Sequence, residues 1–153
     1  MANQPGERGF DAGKKVLGRK RHLLVDTLGL ILAVVVHSAG IQDRDGARPL
    51  LEKALWYGWL RKIWADGGYA GALEQWFREL RVGRAARIEI VRKPSKGFQL
   101  LPKRWVVERT FAWLSRYRRL ARDYEVKTQH SEAFTYVAAC RFMARRLAKS
   151  KLP

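Results

Sequence analysis

The chain has 153 residues, of which 47% are hydrophobic, and this is enough for one domain with a buried core. Its 31 Lys and Arg residues against 14 Asp and Glu give a formal net charge of +17, which indicates a polyanionic partner such as DNA or RNA and is unlike most metabolic enzymes. The longest apolar stretch, residues 28–36, is too short to span a bilayer, and the N-terminus lacks the layout of a secretory signal. We therefore expect a cytoplasmic, nucleoid-associated protein with no membrane partner.

The first predicted elements form a hairpin. Residues 1–13 are rich in glycine and polar groups without periodicity, which predicts a flexible lead, with the fold beginning at Lys14. Residues 20–25 and 30–37 are rich in strand-forming residues, and turn-favouring residues join them. The second run is continuously apolar, as in a strand that is covered on both faces, so we expect helices on both sides of it.

The remaining elements alternate between helices and strands. Asp43 is a candidate N-cap for a helix that starts at residue 44 or 45, and a second helix is predicted around Glu108. Patterns at 60–65 and 87–92 predict strands, and those at 70–80 and 131–148 predict helices, with 149–153 as a tail. This alternation predicts an α/β sheet in a single domain over residues 14–148.

Several residues are predicted to be core because of their spacing. Cys140 lies at helical spacing with neighbours that would share a buried face. The neighbours are Ala133, Val137, Ala144 and Leu147. The aromatic residues expected in the core, in preference to a base-stacking role, are Trp56, Trp59, Trp76 and Trp113.

Asp66 directly follows the predicted strand 60–65 and precedes two glycines. Its carboxylate is expected at the edge of the sheet, where open α/β sheets bind ligands. Carboxylate oxygens are also the ligands that Mg²⁺ prefers. The alternative is that Asp66 only makes a turn and caps the next helix, and spacing leaves both open.

Glu108 lies within a basic segment of the predicted helix. Helical geometry places it opposite the broad apolar face of that helix, on the same side as Arg104, Ser115 and Arg119. A carboxylate would then project from a surface that could grip a phosphodiester backbone. The alternative is a solvated Arg104–Glu108 pair four residues apart, which contributes little to stability.

Basic residues form clusters that predict a broad nucleic-acid footprint. The candidate DNA-binding residues are Lys14, Lys15, Arg19, Lys20, Arg21, Arg104, Arg116 and Arg119. His22 and His37 lack a metal-ligand partner at suitable spacing, so no zinc site is expected.

Four segments in order, GKKVLGRKRHLLVDT (13–27), QDRDG (42–46), WADGGYAG (64–71) and RWVVERTFAWL (104–114), resemble the catalytic domain of bacterial insertion-sequence transposases of the DDE type. The resemblance implies an RNase H-like mixed sheet flanked by helices. It also implies two Asp and one Glu that hold two divalent metal ions, Mg²⁺ or Mn²⁺. By this resemblance, Asp66 is the second Asp and Glu108 is the Glu, and both are catalytic residues and metal ligands.

The sequence departs from the family pattern in two places. The first Asp of the family lies on a strand ahead of residue 13, and neither Asp11 nor Asp26 matches that position, so we expect the first family strand and one of the three carboxylates to be missing. Asp43 or Asp45 could only neighbour the site. The family's Tyr, Arg, Glu and Lys signature is kept at Arg104 and Glu108. Leu101 and Ser115 occupy its outer positions, and Arg116 is a candidate substitute for the cation.

The expected function is therefore DNA transposition by the C-terminal catalytic part of a transposase, which cleaves DNA at element ends and joins them to a target. With one carboxylate missing, we expect this chain alone to be inactive. The expected partners are DNA and either a second copy of the chain or the product of an upstream reading frame. The alternative is a non-catalytic DNA-binding remnant that inhibits the full-length transposase.

Overall fold

A computed structural model of the protein describes residues 7–80, 86–91 and 103–149, apart from the side chain of Arg104. Five strands and six helices are present in these ranges. The strands are β1 (Gly9–Asp11), β2 (Val16–Val25), β3 (Ile31–Ser38), β4 (Lys62–Asp66) and β5 (Arg87–Val91). The helices are α1 (Asp43–Gly46), α2 (Arg48–Ala54), α3 (Ala72–Leu80), α4 (Arg104–Ser115), α5 (Arg118–Ala121) and α6 (Thr128–Lys149).

The first sheet contains β1, β2 and β3, which are all antiparallel. The turn between β2 and β3 is closed by Asp26, whose Oδ1 accepts hydrogen bonds from the backbone N–H groups of Leu28 and Leu30, both at 2.8 Å. Gly29 has a φ of +83°, which glycine adopts without steric cost. Local chemistry therefore forms the hairpin that the sequence predicts.

The second sheet contains β4 and β5, which pair in parallel from Lys62 opposite Arg87 to Asp66 opposite Val91. Helix α3 lies between β4 and β5 in the chain, and it buries Leu73 and Phe77, which are one turn apart on its apolar face. The α/β class is confirmed. In the described residues, however, the strands form two separate sheets, whereas the sequence predicted one mixed sheet.

Two apolar cores cover the two faces of the first sheet, as the continuous apolar run of β3 predicts. Ala33 and Val35 of β3 face one core, and Val34 and Val36 face the other. The first core also contains residues of α2, β4 and α3, and the second contains residues of α4, α5 and α6. Because the second core includes α4, it fixes the orientation of the helix that carries Glu108.

Three expectations about the fold are corrected. Residues 9–11, assigned to the flexible lead, form β1, because they pair with residues 16–18 of β2. Trp56 and Trp59 are 87% and 60% exposed, since they follow α2 in a loop outside both cores. Cys140 is exposed and so are Val137 and Leu147, because α6 packs through its opposite, small-residue face. That buried face consists of Ser131, Thr135, Ala138 and Ala139.

None of the helices in the described ranges is long and apolar enough to cross a membrane.

Candidate functional site

A cavity of about 660 Å³ lies between β2, β4 and the first two turns of α4. Most of the side chains that line it are apolar, including Leu24, Ile63 and Val106. Three carboxylate residues also line it: Asp26, whose Oδ1 is engaged in the β2–β3 turn, and Asp66 and Glu108, which come from distant parts of the sequence. Their separation in sequence shows that tertiary structure alone brings them to one cavity.

Asp66, which the sequence places directly after a strand over 60–65, is the last residue of β4. Its Oδ1 accepts a hydrogen bond of 2.9 Å from the Gly68 N–H, which caps a 3₁₀ turn formed by Gly67–Tyr69. The turn-and-cap alternative is therefore realised. A carboxylate has two oxygens with about four lone-pair sites, so this one bond leaves capacity for a ligand.

Glu108 is an exposed residue of α4. The helix is oriented by Val106, Thr110 and Leu114, which are buried on its other side at spacings of four residues. Thr110 is completely buried, and its hydroxyl lies 2.9 Å from the Gly29 carbonyl oxygen, so α4 is tied to the β2–β3 turn. Arg104 is the partner that the alternative interpretation requires, and its side chain lies outside the described part of the structure.

The cavity has the donor type that a hard divalent cation requires, because Asp66 and Glu108 supply carboxylate oxygens. Asp43 lies beside the same turn. A Cβ atom added at Gly68 would be 3.1 Å from Asp66 Oδ1 and 4.0 Å from Asp43 Oδ2, so both carboxylates lie next to Gly68. Within the described ranges, however, no three His, Cys, Asp or Glu residues are grouped so that they could hold a metal ion. The described residues therefore supply oxygen donors of the right type but do not by themselves form a metal site.

A buried pair of histidines beside the cavity was not predicted from the sequence. His22 and His37 stack with ring centroids 4.8 Å apart, and His22 Nδ1 lies 2.8 Å from the Tyr69 hydroxyl. Burial, with a smaller contribution from the charge of His37, lowers the pKa of His22 to about 4. Burial also raises the pKa of Tyr69. At neutral pH both groups are uncharged, and the direction of the hydrogen bond between them follows from which ring nitrogen of His22 carries the proton.

An ion-pair network fixes the neighbouring acidic residues. Lys20 Nζ lies 2.9 Å from Asp43 Oδ1 and 3.6 Å from Asp11 Oδ2, and it donates to the Ile41 carbonyl at 2.9 Å. The hydrogen bond to Asp43 is the main reason why the pKa of Lys20 is raised. Period two in β2 places Lys20 and His22 on one face, but the sequence does not show which acidic residues they meet.

Arg19 has a structural role that its basic cluster did not suggest. Its side chain is 3% exposed, and Nη1 lies 3.3 Å from Asp123 Oδ2. The guanidinium donates to the carbonyl oxygens of Glu7, Glu125 and Val126 at 2.8, 2.8 and 2.6 Å. All its donor nitrogens are engaged within the protein, so Arg19 stabilises the fold and is not among the cations that we propose for DNA.

The other candidate DNA-binding residues divide into two groups. Lys20 is engaged as described above, and Arg21 is largely covered, with Nη2 3.3 Å from the Ser131 hydroxyl. Lys14, Lys15, Arg116 and Arg119 are exposed, although Arg119 pairs with Glu125 at 2.5 Å. Exposed cations remain available at both the β1–β2 turn and the end of α4.

Comparison with known proteins agrees with the resemblance. The profile of the family described as "Transposase DDE domain" matches residues 2–143. A protein of Burkholderia cepacia named "Putative transposase for insertion sequence element IS402" is 31% identical over 131 residues, which are 80% of this chain and 61% of that protein. The chain thus spans about three fifths of that relative's length. No solved structure gave a significant match. Because the family profile covers nearly the whole sequence, the chain belongs to the Transposase DDE domain family.

Proposed function

We propose that this chain is a catalytic part of a DNA transposase that cleaves DNA and transfers strands with a divalent metal ion, Mg²⁺ or Mn²⁺. Family membership supports transposition in general. The observation that carries the finer proposal is the presence of Asp66 and Glu108 on the lining of one cavity. Both carry the donor group that such a metal requires.

Asp66 and Glu108 would hold the metal together with a third oxygen donor from outside the described residues. A bound metal would stabilise the charge on the attacking and leaving oxygens during an in-line displacement at phosphorus. The chain's own contribution is to position these carboxylates and to align the DNA backbone through exposed cations such as Lys14, Lys15 and Arg116. With two carboxylates the site should bind metal weakly, so this chain alone should not cleave DNA.

Metal binding tests the assignment directly. Mn²⁺ binding to the full chain can be followed by water-proton relaxation, in Asp66→Asn and Glu108→Gln variants and in Asp45→Asn as a control. Asp45 is an exposed carboxylate that pairs with Arg48 at 3.6 Å and does not line the cavity. We expect weak binding that either cavity substitution abolishes and the control retains. Equal Mn²⁺ binding in all four proteins would contradict the ligand assignment.

Activity tests the second part of the proposal. In a plasmid-nicking assay with Mg²⁺, the wild-type chain should give no more product than Glu108→Gln. Robust strand transfer by the wild-type chain alone would show that two carboxylates suffice, and the proposed inactivity would be wrong.

A second candidate function is DNA binding without catalysis, which the net charge of +17 and the exposed cations favour. Both candidates predict steep salt dependence, so salt alone does not separate them. The Mn²⁺ measurement does, because a pure binding protein has no use for a metal at Asp66 and Glu108. Substituting both carboxylates should leave DNA affinity unchanged or higher, since two negative charges are removed from a basic protein.

The DNA interface itself can be mapped by salt titration. Replacing Lys14 and Lys15 with Ala should reduce the slope of log K against log salt concentration by about one for each phosphate that the variant no longer neutralises. The matched control is Lys62→Ala, because Lys62 is already paired with Glu89 at 2.7 Å. An unchanged slope in the double variant would exclude these two residues from the interface.

A further inference from the structure

We infer that α6 carries a self-association surface, through which two copies of the chain pair their α6 helices in antiparallel orientation. The surface is an exposed stripe along the helix, called the outer stripe here, which consists of His130, Ala133, Val137, Cys140, Ala144 and Leu147. This goes beyond the proposed function, because none of these residues lines the cavity that holds Asp66 and Glu108.

The outer stripe lies opposite the side of α6 that packs against the first sheet. The Tyr136 hydroxyl and Glu132 Oε1 accept hydrogen bonds from the backbone amides of Val34 and Val36, at 3.0 and 2.9 Å, and so fix α6 on β3. At about 100° per residue, the stripe falls on the far side of the helix from its four buried residues. The fold therefore directs the stripe outward.

The outer stripe holds large apolar side chains in contact with water. Val137 and Leu147 are 65% and 70% exposed, and Phe134, which borders the stripe, is 37% exposed. Among the described residues, every member of the stripe is exposed. Single apolar residues on a surface need no explanation, but several that follow one side of one helix indicate a contact surface.

The spacing of the stripe indicates that its partner is another helix. From Ala133 to Leu147 the positions follow one another at intervals of four, three, four and three residues. This average of 3.5 residues is the repeat with which two helices interlock their side chains. The small side chains at 133, 140 and 144 allow the two helix axes to approach to about 8 to 9 Å.

A second copy of α6 fits the stripe in one antiparallel register. A two-fold axis that passes between residues 138 and 139 places each stripe residue beside a stripe residue of the other copy. The facing positions are Val137 with Cys140, Ala133 with Ala144, and His130 with Leu147. The same patch then serves both copies, as a two-fold symmetric contact requires.

Charge selects the antiparallel orientation. Residues 139–149 carry four cations and no anion, whereas Glu132 is the only formally charged residue within 128–138. Antiparallel pairing places the cationic half of each helix beside the half without cations. Parallel pairing would bring the cationic halves together and align the two helix dipoles, and both effects are unfavourable.

The size of the contact predicts a weak dimer. From His130 to Leu147 the stripe is about 25 Å long and about 10 Å wide, so two copies would bury well under the roughly 1,200 Å² of a stable interface. The net charge of +17 also opposes association. We therefore expect monomers at micromolar concentration, with Cys140 open to solvent, and dimers above about 0.1 mM. Salt should strengthen the dimer by screening the cations, whereas it weakens DNA binding.

The distance between spin labels, measured by pulsed electron paramagnetic resonance, tests the orientation. The label is attached through Gln129→Cys, at an exposed position of α6, in a Cys140→Ser background that keeps a small side chain in the stripe. In the antiparallel dimer residue 129 lies level with residue 148 of the other copy, so the labels should be about 30 Å apart. A parallel dimer would give about 10 Å, and a monomer would give no defined distance. Either of these results overturns the inference.

Substitutions test whether the outer stripe forms the contact. Val137→Glu in the labelled chain should remove the 30 Å distance, because it places two carboxylates at the centre of the interface. The matched control is Trp56→Glu, which adds the same charge at an apolar residue that is 87% exposed and lies outside α6, and it should retain the distance. Far-ultraviolet circular dichroism at micromolar concentration checks that both variants are folded. A distance that survives Val137→Glu, or that both variants lose while folded, would exclude the stripe as the interface.

Discussion

Burial of His22 makes the stability of this protein depend on pH. The folded pKa is about 4, compared with 6.5 for an unperturbed histidine, because the ring is 6% exposed and stacks on His37. Between these values the unfolded chain binds the proton more readily than the folded one, so stability falls as pH falls from 6.5 towards 4. Above pH 6.5 both states carry a neutral ring, and this contribution is fully present.

The magnitude follows from the shift. At 1.36 kcal/mol per pKa unit, lowering the pH from 7 to 4.5 should reduce the free energy of unfolding by about 2 to 3 kcal/mol through His22 alone. Carboxylates also titrate over this range, so the measured quantity is the difference between the wild-type chain and a His22→Gln variant. Gln retains a carbonyl that can accept from the Tyr69 hydroxyl.

The assay is urea unfolding at pH 7 and pH 4.5, with EDTA present to remove metal ions. The wild-type chain should lose about 2 to 3 kcal/mol more than His22→Gln on acidification. Parallel losses in the two proteins would refute the reasoning, as would an NMR titration that gives His22 an ordinary pKa.

Three further predictions concern packing. Gly46→Ala should destabilise the fold by about 1 to 3 kcal/mol in urea unfolding, because the new Cβ would clash with the His37 ring, whereas Gly67→Ala meets nothing within 4 Å and should change little. Thr110→Val should lower the free energy of unfolding by about 1 to 2 kcal/mol, because it removes the hydroxyl that bonds to the β2–β3 turn. Thr110→Ser keeps the hydroxyl and should retain most of that stability. Equal losses of stability in the Val and Ser variants would contradict the role of the hydroxyl. Cys140 should react with a thiol reagent in the folded protein as fast as in urea, and slow labelling would contradict its exposure.

The local patterns of the sequence determined most of the secondary structure. The turn residues Asp26 and Gly29 act within a few positions of themselves, so the hairpin could be predicted without knowledge of the rest of the chain. The predicted strands and helices recur with boundaries shifted by a few residues, as for 131–148, which became Thr128–Lys149. Asp66 was predicted one residue beyond a strand and is its last residue, a close agreement that follows because strand and turn signals are local.

Which face of an element is covered was decided only by the tertiary structure. Helix α6 carries Val137 and Leu147, yet it buries Ser131 and Thr135, because small side chains let the helix approach β3 closely and Thr135 satisfies its hydroxyl at the Ser131 carbonyl. The periodicity of the sequence describes the faces of the helix but not the neighbour that selects one of them.

The candidate site depends on both levels. The sequence placed Asp66 at a strand end and Glu108 on the polar side of a helix, each from local patterns. That both line one cavity, and that Arg19 and Lys20 are engaged by acidic residues of the protein itself, are long-range outcomes. These contacts join residues far apart in the chain, and their geometry depends on how the two sheets and α4 pack together.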